Sequence, residues 1–116
     1  MENEKIVSVK NAAHYLWGDN CEAWHLLNND GLSVIEERME PGSSERMHFH
    51  EKAQQLFYIL SGTADFEIAG ALIHLCAGET VHILPKVPHR ILNRSDTELR
   101  FIVISVPRSH GDRVDL

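Results

Sequence analysis

Apolar side chains recur at every second position, in short runs, along most of this chain, and that period admits few folds. "LSVIEERM" (32–39), "ERMHFH" (45–50), "QLFYILS" (55–61), "TADFEIA" (63–69), "ALIHL" (71–75), "TVHIL" (80–84), "HRILN" (89–93) and "LRFIVISV" (99–106) are rich in β-branched and aromatic residues, which pack well on a pleated surface. Turn chemistry separates them: "NNDG" at 28–31, "EPGS" at 40–43, Ser61-Gly62, Ala69-Gly70, "AGE" at 77–79, "KVP" at 86–88 and "RSD" at 94–96. Those residues tolerate the backbone angles that turns require. Many short strands so punctuated predict an all-β sandwich or barrel. The runs 55–61 and 99–106 are apolar on both faces, so they are expected between layers. "AAHYLWG" (12–18) reads as a helical turn or a short strand, "CEAWHLL" (21–27) as another strand, and the tail "PRSHGDRVDL" as polar and irregular. The expectation is one domain over 1–116, with a barrel core at about 32–106, an N-terminal extension at 1–30 and a C-terminal tail at 107–116.

A chain of 116 residues can bury a single core. Its formal net charge of -6 disfavours nucleic acid and anionic membranes as partners, because both are held mainly by Lys and Arg. No apolar run approaches the roughly 20 residues that span a bilayer. The opening "MENEKIVSVK" lacks the apolar segment of a signal peptide. A soluble, cytoplasmic protein is therefore expected. Cys21 and Cys76 have no CxxC spacing and read as reduced thiols without a function.

The chain carries eight histidines, and an inward polar side chain in a barrel is costly unless it binds something. His48 and His50 stand two apart. On a strand they share a face, about 7 Å apart at the backbone. Two imidazoles so placed can converge on one ion at roughly 2.0–2.1 Å from each nitrogen, or can face solvent from an edge strand. Met47 and Phe49 then point the other way.

The neighbourhood of this pair resembles the cupin superfamily. Cupins carry Gly, five residues, His-x-His, three or four residues, Glu, six residues, Gly; then Gly, five residues, Pro-x-Gly, two residues, His, three residues, Asn. Here Gly42 precedes His48-Phe49-His50 by five residues, Gln55 follows after four, and Gly62 after six more. Gly78, His89 and Asn93 keep the second motif's outer spacing, but the proline is displaced by one to Pro85 and Pro-x-Gly gives way to "PKVPH". The resemblance implies a double-stranded β-helix (jelly-roll barrel), with His48, His50, Gln55 and His89 around one divalent transition metal ion. Gln55 stands where the family usually has glutamate. A glutamine still coordinates through its carbonyl oxygen, but it is neutral, so the ion keeps its full charge and is the stronger Lewis acid. Gln54 is the alternative ligand if a bulge shifts the phase. The ligand types suit Mn, Fe, Co, Ni, Cu or Zn.

Other candidates are set by phase. Phe57 and Ile59 share Gln55's face and are expected to wall the pocket, with Tyr58 outward. In "LSVIEERM", Glu36 and Arg38 share one face and Glu37 shares the other with Ile35 and Met39. Whichever face looks inward brings charge near the metal: Arg38 could clamp a substrate carboxylate and Glu36 could act as a base. His82 is a candidate for proton transfer. His14, His25, His74 and His110 lack ligand spacing and read as structural or exposed, and Trp17 and Trp24 as packing residues. These features point to Lewis-acid isomerisation, ring opening or lyase chemistry on a small keto, hydroxy or sugar-acid compound. The alternatives are a metal-dependent dioxygenase and a non-catalytic binding protein. The resemblance also implies a homodimer.

Overall fold

A computed structural model describes residues 6–116. Among the described residues eleven strands run in chain order: β1 (Ala13–Trp17), β2 (Cys21–Asn29), β3 (Leu32–Met39), β4 (His48–His50), β5 (Gln54–Ser61), β6 (Thr63–Ile68), β7 (Ala71–Cys76), β8 (Thr80–Ile83), β9 (His89–Leu92), β10 (Leu99–Val106) and β11 (Arg113–Asp115). They form a six-stranded sheet in the order β1-β2-β3-β10-β5-β8 and a five-stranded sheet in the order β11-β4-β9-β6-β7. Every named pairing is antiparallel. The fold is all-β, as expected from the alternation, and is the double-stranded β-helix that the resemblance implies. No helix among the described residues is long and apolar enough to cross a membrane.

Alternation decides the core. Along β10, Leu99, Phe101, Val103 and Ser105 turn inward and are buried. Along β5, Gln55, Phe57 and Ile59 do the same. These side chains meet Phe66, Ile91 and Ile35 between the sheets. The ring of Phe57 lies edge-on to Phe66 at 5.0 Å between centroids and 5.7 Å from Phe101. Aromatic pairs at that distance add directional attraction to the large area they bury.

One open alternative is settled and two sequence expectations change. The "AAHYLWG" segment is a strand, β1, paired along its length with β2. The tail is not wholly irregular: β11 adds to the edge of β4, with Arg113 opposite His50 and Asp115 opposite His48. The 45–50 run is strand only from His48 onward. Among the described residues nothing fully covers the outer faces of β5 and β10, where Tyr58 is 40% exposed, and Leu60 and Val106 are exposed beside it.

Gly62 joins β5 to β6 with φ of +79°, and a Cβ built there would fall 2.5 Å from the Glu98 carbonyl oxygen. That is a backbone atom, which cannot swing aside. Both the left-handed angle and the close approach therefore require glycine.

Candidate metal centre

Strand period and register bring the site together. His48 and His50 point to one side of β4 and are 2% and 5% exposed. β4 meets β9 with His48 opposite His89, which is 1% exposed. The third imidazole thus arrives by pairing between strands far apart in sequence. One ligand-capable nitrogen from each ring lies within 4.8 Å of the others. Ligands at roughly 2.0–2.1 Å from a shared ion stand about 3–4 Å apart, so small adjustments suffice.

The fourth residue comes from the opposite sheet. Gln55 is buried and Gln54 exposed, so no bulge shifts the phase of β5 at this end; its one register shift lies at Leu60. Gln55 Nε2 donates to Ser105 Oγ at 3.0 Å, from its register partner on β10. That bond aims Gln55 Oε1 at His89 Nε2, 3.1 Å away.

Backbone carbonyls choose the tautomers. His48 Nδ1 donates to the Arg46 oxygen at 2.8 Å, and His89 Nδ1 to the Val87 oxygen at 2.9 Å. A carbonyl can only accept, so Nδ1 carries the proton in both rings and Nε2 offers a lone pair. His89 Nε2 and Gln55 Oε1 therefore confront each other as two acceptors, an arrangement that a cation relieves. His50 Nδ1 is buried without a hydrogen-bond partner. Burial is the main reason all three rings stay neutral: it takes the pKa of His48 down to about 3 and of His50 to about 4, and lowers that of His89. Three neutral imidazoles and an amide oxygen fit a divalent transition metal ion.

The site opens into a cavity of about 520 Å³, within the usual range for small-molecule pockets. Phe57 lines it as the strand phase predicts, while Ile59 lies fully buried beneath. The expected charges of β3 are placed differently. Ser33, Ile35, Glu37 and Met39 turn inward, which sends Glu36 and Arg38 to the outer face. There Glu36 pairs with Arg100 at 3.2 Å, and Arg38 pairs with Glu40 and, at 3.7 Å, with Glu98. Glu37 is the residue of this strand's charged trio that lines the cavity. His82 points away as well: it is exposed, with Nε2 2.9 Å from Gln54 Oε1.

Several cavity residues are not legible as such in the sequence, where Trp17 is expected to pack and His110 to be structural or exposed. Tyr15 and Trp17 come from β1, and His110 and Arg113 from the tail. Trp24 packs as expected, buried under the Arg100 guanidinium 5.3 Å from its ring. Glu45 lies before β4 with Oε1 3.8 Å from His48 Nδ1, while Arg113 Nη1 donates to its Oε2 at 3.3 Å. Burial raises the Glu45 carboxyl to about 7, against the pull of Arg113. The only local signal for Glu37 was its phase with Ile35 and Met39. The tail residues had none, because their place depends on β11 pairing with β4.

A family model described as Cupin domain matches residues 35–105. The chain is a cupin. It is 31% identical over 81 residues to an uncharacterized protein of Methanocaldococcus jannaschii, an alignment covering 69% of this cupin and 65% of that relative. It is 28% identical over 90 residues to an oxalate-binding protein of Thermotoga maritima, covering 73% and 74% of the two chains. A sugar phosphate isomerase of the cupin superfamily from Silicibacter pomeroyi shares the fold with a TM-score of 0.78 at 15% identity, over 90% of this cupin and 76% of that chain.

The structure also explains how this cupin keeps the turn of its second motif despite the altered residues. Lys86 occupies the place of the motif glycine and takes φ of +69°. Its amide donates to the His50 oxygen at 2.7 Å, a bond that helps offset the steric cost of a side chain in that region. Asn93 is fully buried, donates to the Met39 and Thr97 oxygens at 3.1 and 2.9 Å, and accepts from Ser95. Its role is to hold the turn that follows β9.

Proposed function

We propose that this cupin binds one divalent transition metal ion through His48, His50, Gln55 and His89, and acts by Lewis-acid chemistry on a small keto, hydroxy or sugar-acid compound. Isomerase, ring-opening and lyase steps all belong to that chemistry. The observation that carries the reading is the opposition of His89 Nε2 and Gln55 Oε1 at 3.1 Å beside two further neutral imidazoles. An ion on four neutral ligands would keep its charge for polarising a carbonyl or hydroxyl oxygen. The protein's own groups support this: Ser105 orients the amide, the Arg46 and Val87 carbonyls set the imidazole protons, and Phe57 and Val103 form an apolar wall. Oxalate and sugar phosphates, named for two similar proteins, both present neighbouring oxygens.

Elemental analysis and anaerobic assay test the reading together. Protein purified without an affinity tag is expected to hold near-stoichiometric Mn or Zn, and its turnover of a hydroxyketone or sugar acid should not need oxygen. Near-stoichiometric Fe or Ni with oxygen uptake would favour the dioxygenase alternative. Failure to bind any added divalent ion would end every catalytic reading and leave small-molecule binding.

The reading includes a homodimer formed through the outer face of β5 and β10, where Tyr58, Leu60 and Val106 are exposed next to half-buried Leu56, Ile102 and Ile104. A contiguous apolar patch of this kind is typical of an association surface. Light scattering on a sizing column should give twice the chain mass, and a monomer at micromolar concentration would defeat the dimer. The free thiols of Cys21 and Cys76 suit a cytoplasmic setting.

A further inference from the structure

Glu37 occupies a position where the strand pattern calls for an apolar residue. It turns inward between Ile35 and Met39, and it lines the cavity together with His48, Gln55 and Phe57. Its sequence neighbours Glu36 and Arg38, facing outward, are both ion-paired. Among the described residues Glu37 forms no ion pair. A buried carboxylate facing an apolar wall without an ion-pair partner is costly, and a strongly perturbed group lining a cleft is a candidate functional residue.

The surroundings say what it would meet. Its register partners are Ala23 on β2 and Phe101 on β10, neither of which titrates. The charged and titratable groups sharing its cavity are Tyr15 on β1, Glu45 and Arg46 before β4, His48 and His50 on β4, and His110 and Arg113 in the tail. Burial raises the Glu37 pKa to about 8, with Glu45 adding to the rise and Arg113 and the Trp17 indole opposing it. A group that titrates near neutral pH can take up a proton and return it. On the same cavity wall Glu45 Oε1 is a buried acceptor without a hydrogen-bond partner, and Trp17 Nε1 is a buried donor turned towards the Glu37 carboxyl but short of a formed hydrogen bond. Hydroxyl groups, which both donate and accept, would satisfy the two together.

We propose that Glu37 is the proton-transfer residue of this cavity and that the substrate is an α-hydroxycarbonyl compound. The assignment rests on the metal-site reading above and narrows it. The Glu37 carboxylate takes the proton from the carbon bearing the hydroxyl. The C–H electron pair becomes the second bond to the carbonyl carbon, and the carbonyl π pair moves onto its oxygen, giving an enediolate. Return of the proton from Glu37 to the former carbonyl carbon, with the hydroxyl proton passing to the other oxygen, interchanges aldose and ketose forms. No oxidant or reductant is consumed.

Hydroxyacetone in D2O is a direct probe, with Zn2+-loaded protein and proton NMR of the hydroxymethyl carbon. The wild type should introduce deuterium at least about tenfold faster than Zn2+ in buffer, and Glu37→Gln should fall to background while binding Zn2+ as the wild type does. A positioned general base typically contributes about 10²–10⁴-fold. Wild-type exchange unchanged in Glu37→Gln would overturn the assignment and leave the metal reading intact. Wild-type exchange no faster than free Zn2+ would overturn the substrate class. A wild type that binds no Zn2+ removes the metal reading and this proposal with it. Carboxyl carbon NMR of the metal-free wild type gives an independent readout: Glu37 should titrate at about 8, and a midpoint in the ordinary carboxylate range would overturn the proposal.

Discussion

Replacing His48 with alanine should abolish tight metal binding. His48 stands in register with His89 and shares its face with His50, so its loss leaves two imidazoles and an amide that no longer enclose an ion. Losing a residue that merely orients a ligand typically costs about 10–100-fold in metal affinity, so loss of a ligand should exceed about 100-fold. Calorimetric titration with Zn2+ measures this, and thermal melts report it independently. At a metal concentration 1,000 times the dissociation constant, binding stabilises the wild type by about 4 kcal/mol, a rise on the order of 10–20 °C for a domain of this size. His48→Ala should show almost none of that rise, and an undiminished shift would remove His48 from the ligand set.

The metal-free proteins should differ in acid as well. Burial holds His48 at about 3 when folded, whereas the unfolded side chain titrates near 6.5. As pH falls below 6.5 the unfolded state takes up the proton first, so wild-type stability declines from there towards pH 3. His48→Ala lacks that contribution, and its stability should fall less steeply through the same window. Parallel declines in urea-melt midpoints would contradict the buried neutral imidazole.

Phe66→Ala should be the most damaging core substitution, and it should reach the metal site. Phe66 is fully buried, and its ring supports Phe57, whose centroid lies 6.2 Å from the His89 ring. Truncating a buried phenylalanine costs about 3–5 kcal/mol in lost transfer energy and residual cavity, or on the order of 10–20 °C in melting temperature. Urea melts of the metal-free protein would measure it. Zn2+ affinity should also fall, though less than in His48→Ala, because Phe57 beside His89 loses its support while His89 keeps its bond to the Val87 oxygen. A stability change under about 1 kcal/mol would mean that the Phe57–Phe66 contact contributes little to the core.

The two sets of residues, proposed ligands and cavity walls, were legible to different degrees. His48 and His50 were readable because strand period is local: two residues apart means one face. The phase of Gln55 with Phe57 and Ile59 was readable for the same reason. His89 required the cupin spacing, since nothing in "VPHRILN" by itself says that this histidine lies opposite His48. For β3, alternation separated Glu36 and Arg38 from Glu37 but could not choose between the faces. A strand with charges on both sides carries no local mark of which side meets the other sheet. The antiparallel pairing with β10, which sets Glu37 against Phe101 and Glu36 against Ile102, made that choice. The tail was the least readable part, because a three-residue polar strand has no pattern of its own.

What local pattern determined was the strand content, the turn positions and the ligand spacing, all of which depend on residues within about ten positions of one another. Tertiary structure alone decided that Glu37 faces the cavity, that Gln55 is turned towards His89 by Ser105, and that β1 and β11 bring Tyr15, Trp17, His110 and Arg113 to its wall. Each depends on contacts between strands distant in sequence, whose register is set by the burial of a whole sheet face rather than by any neighbouring residues.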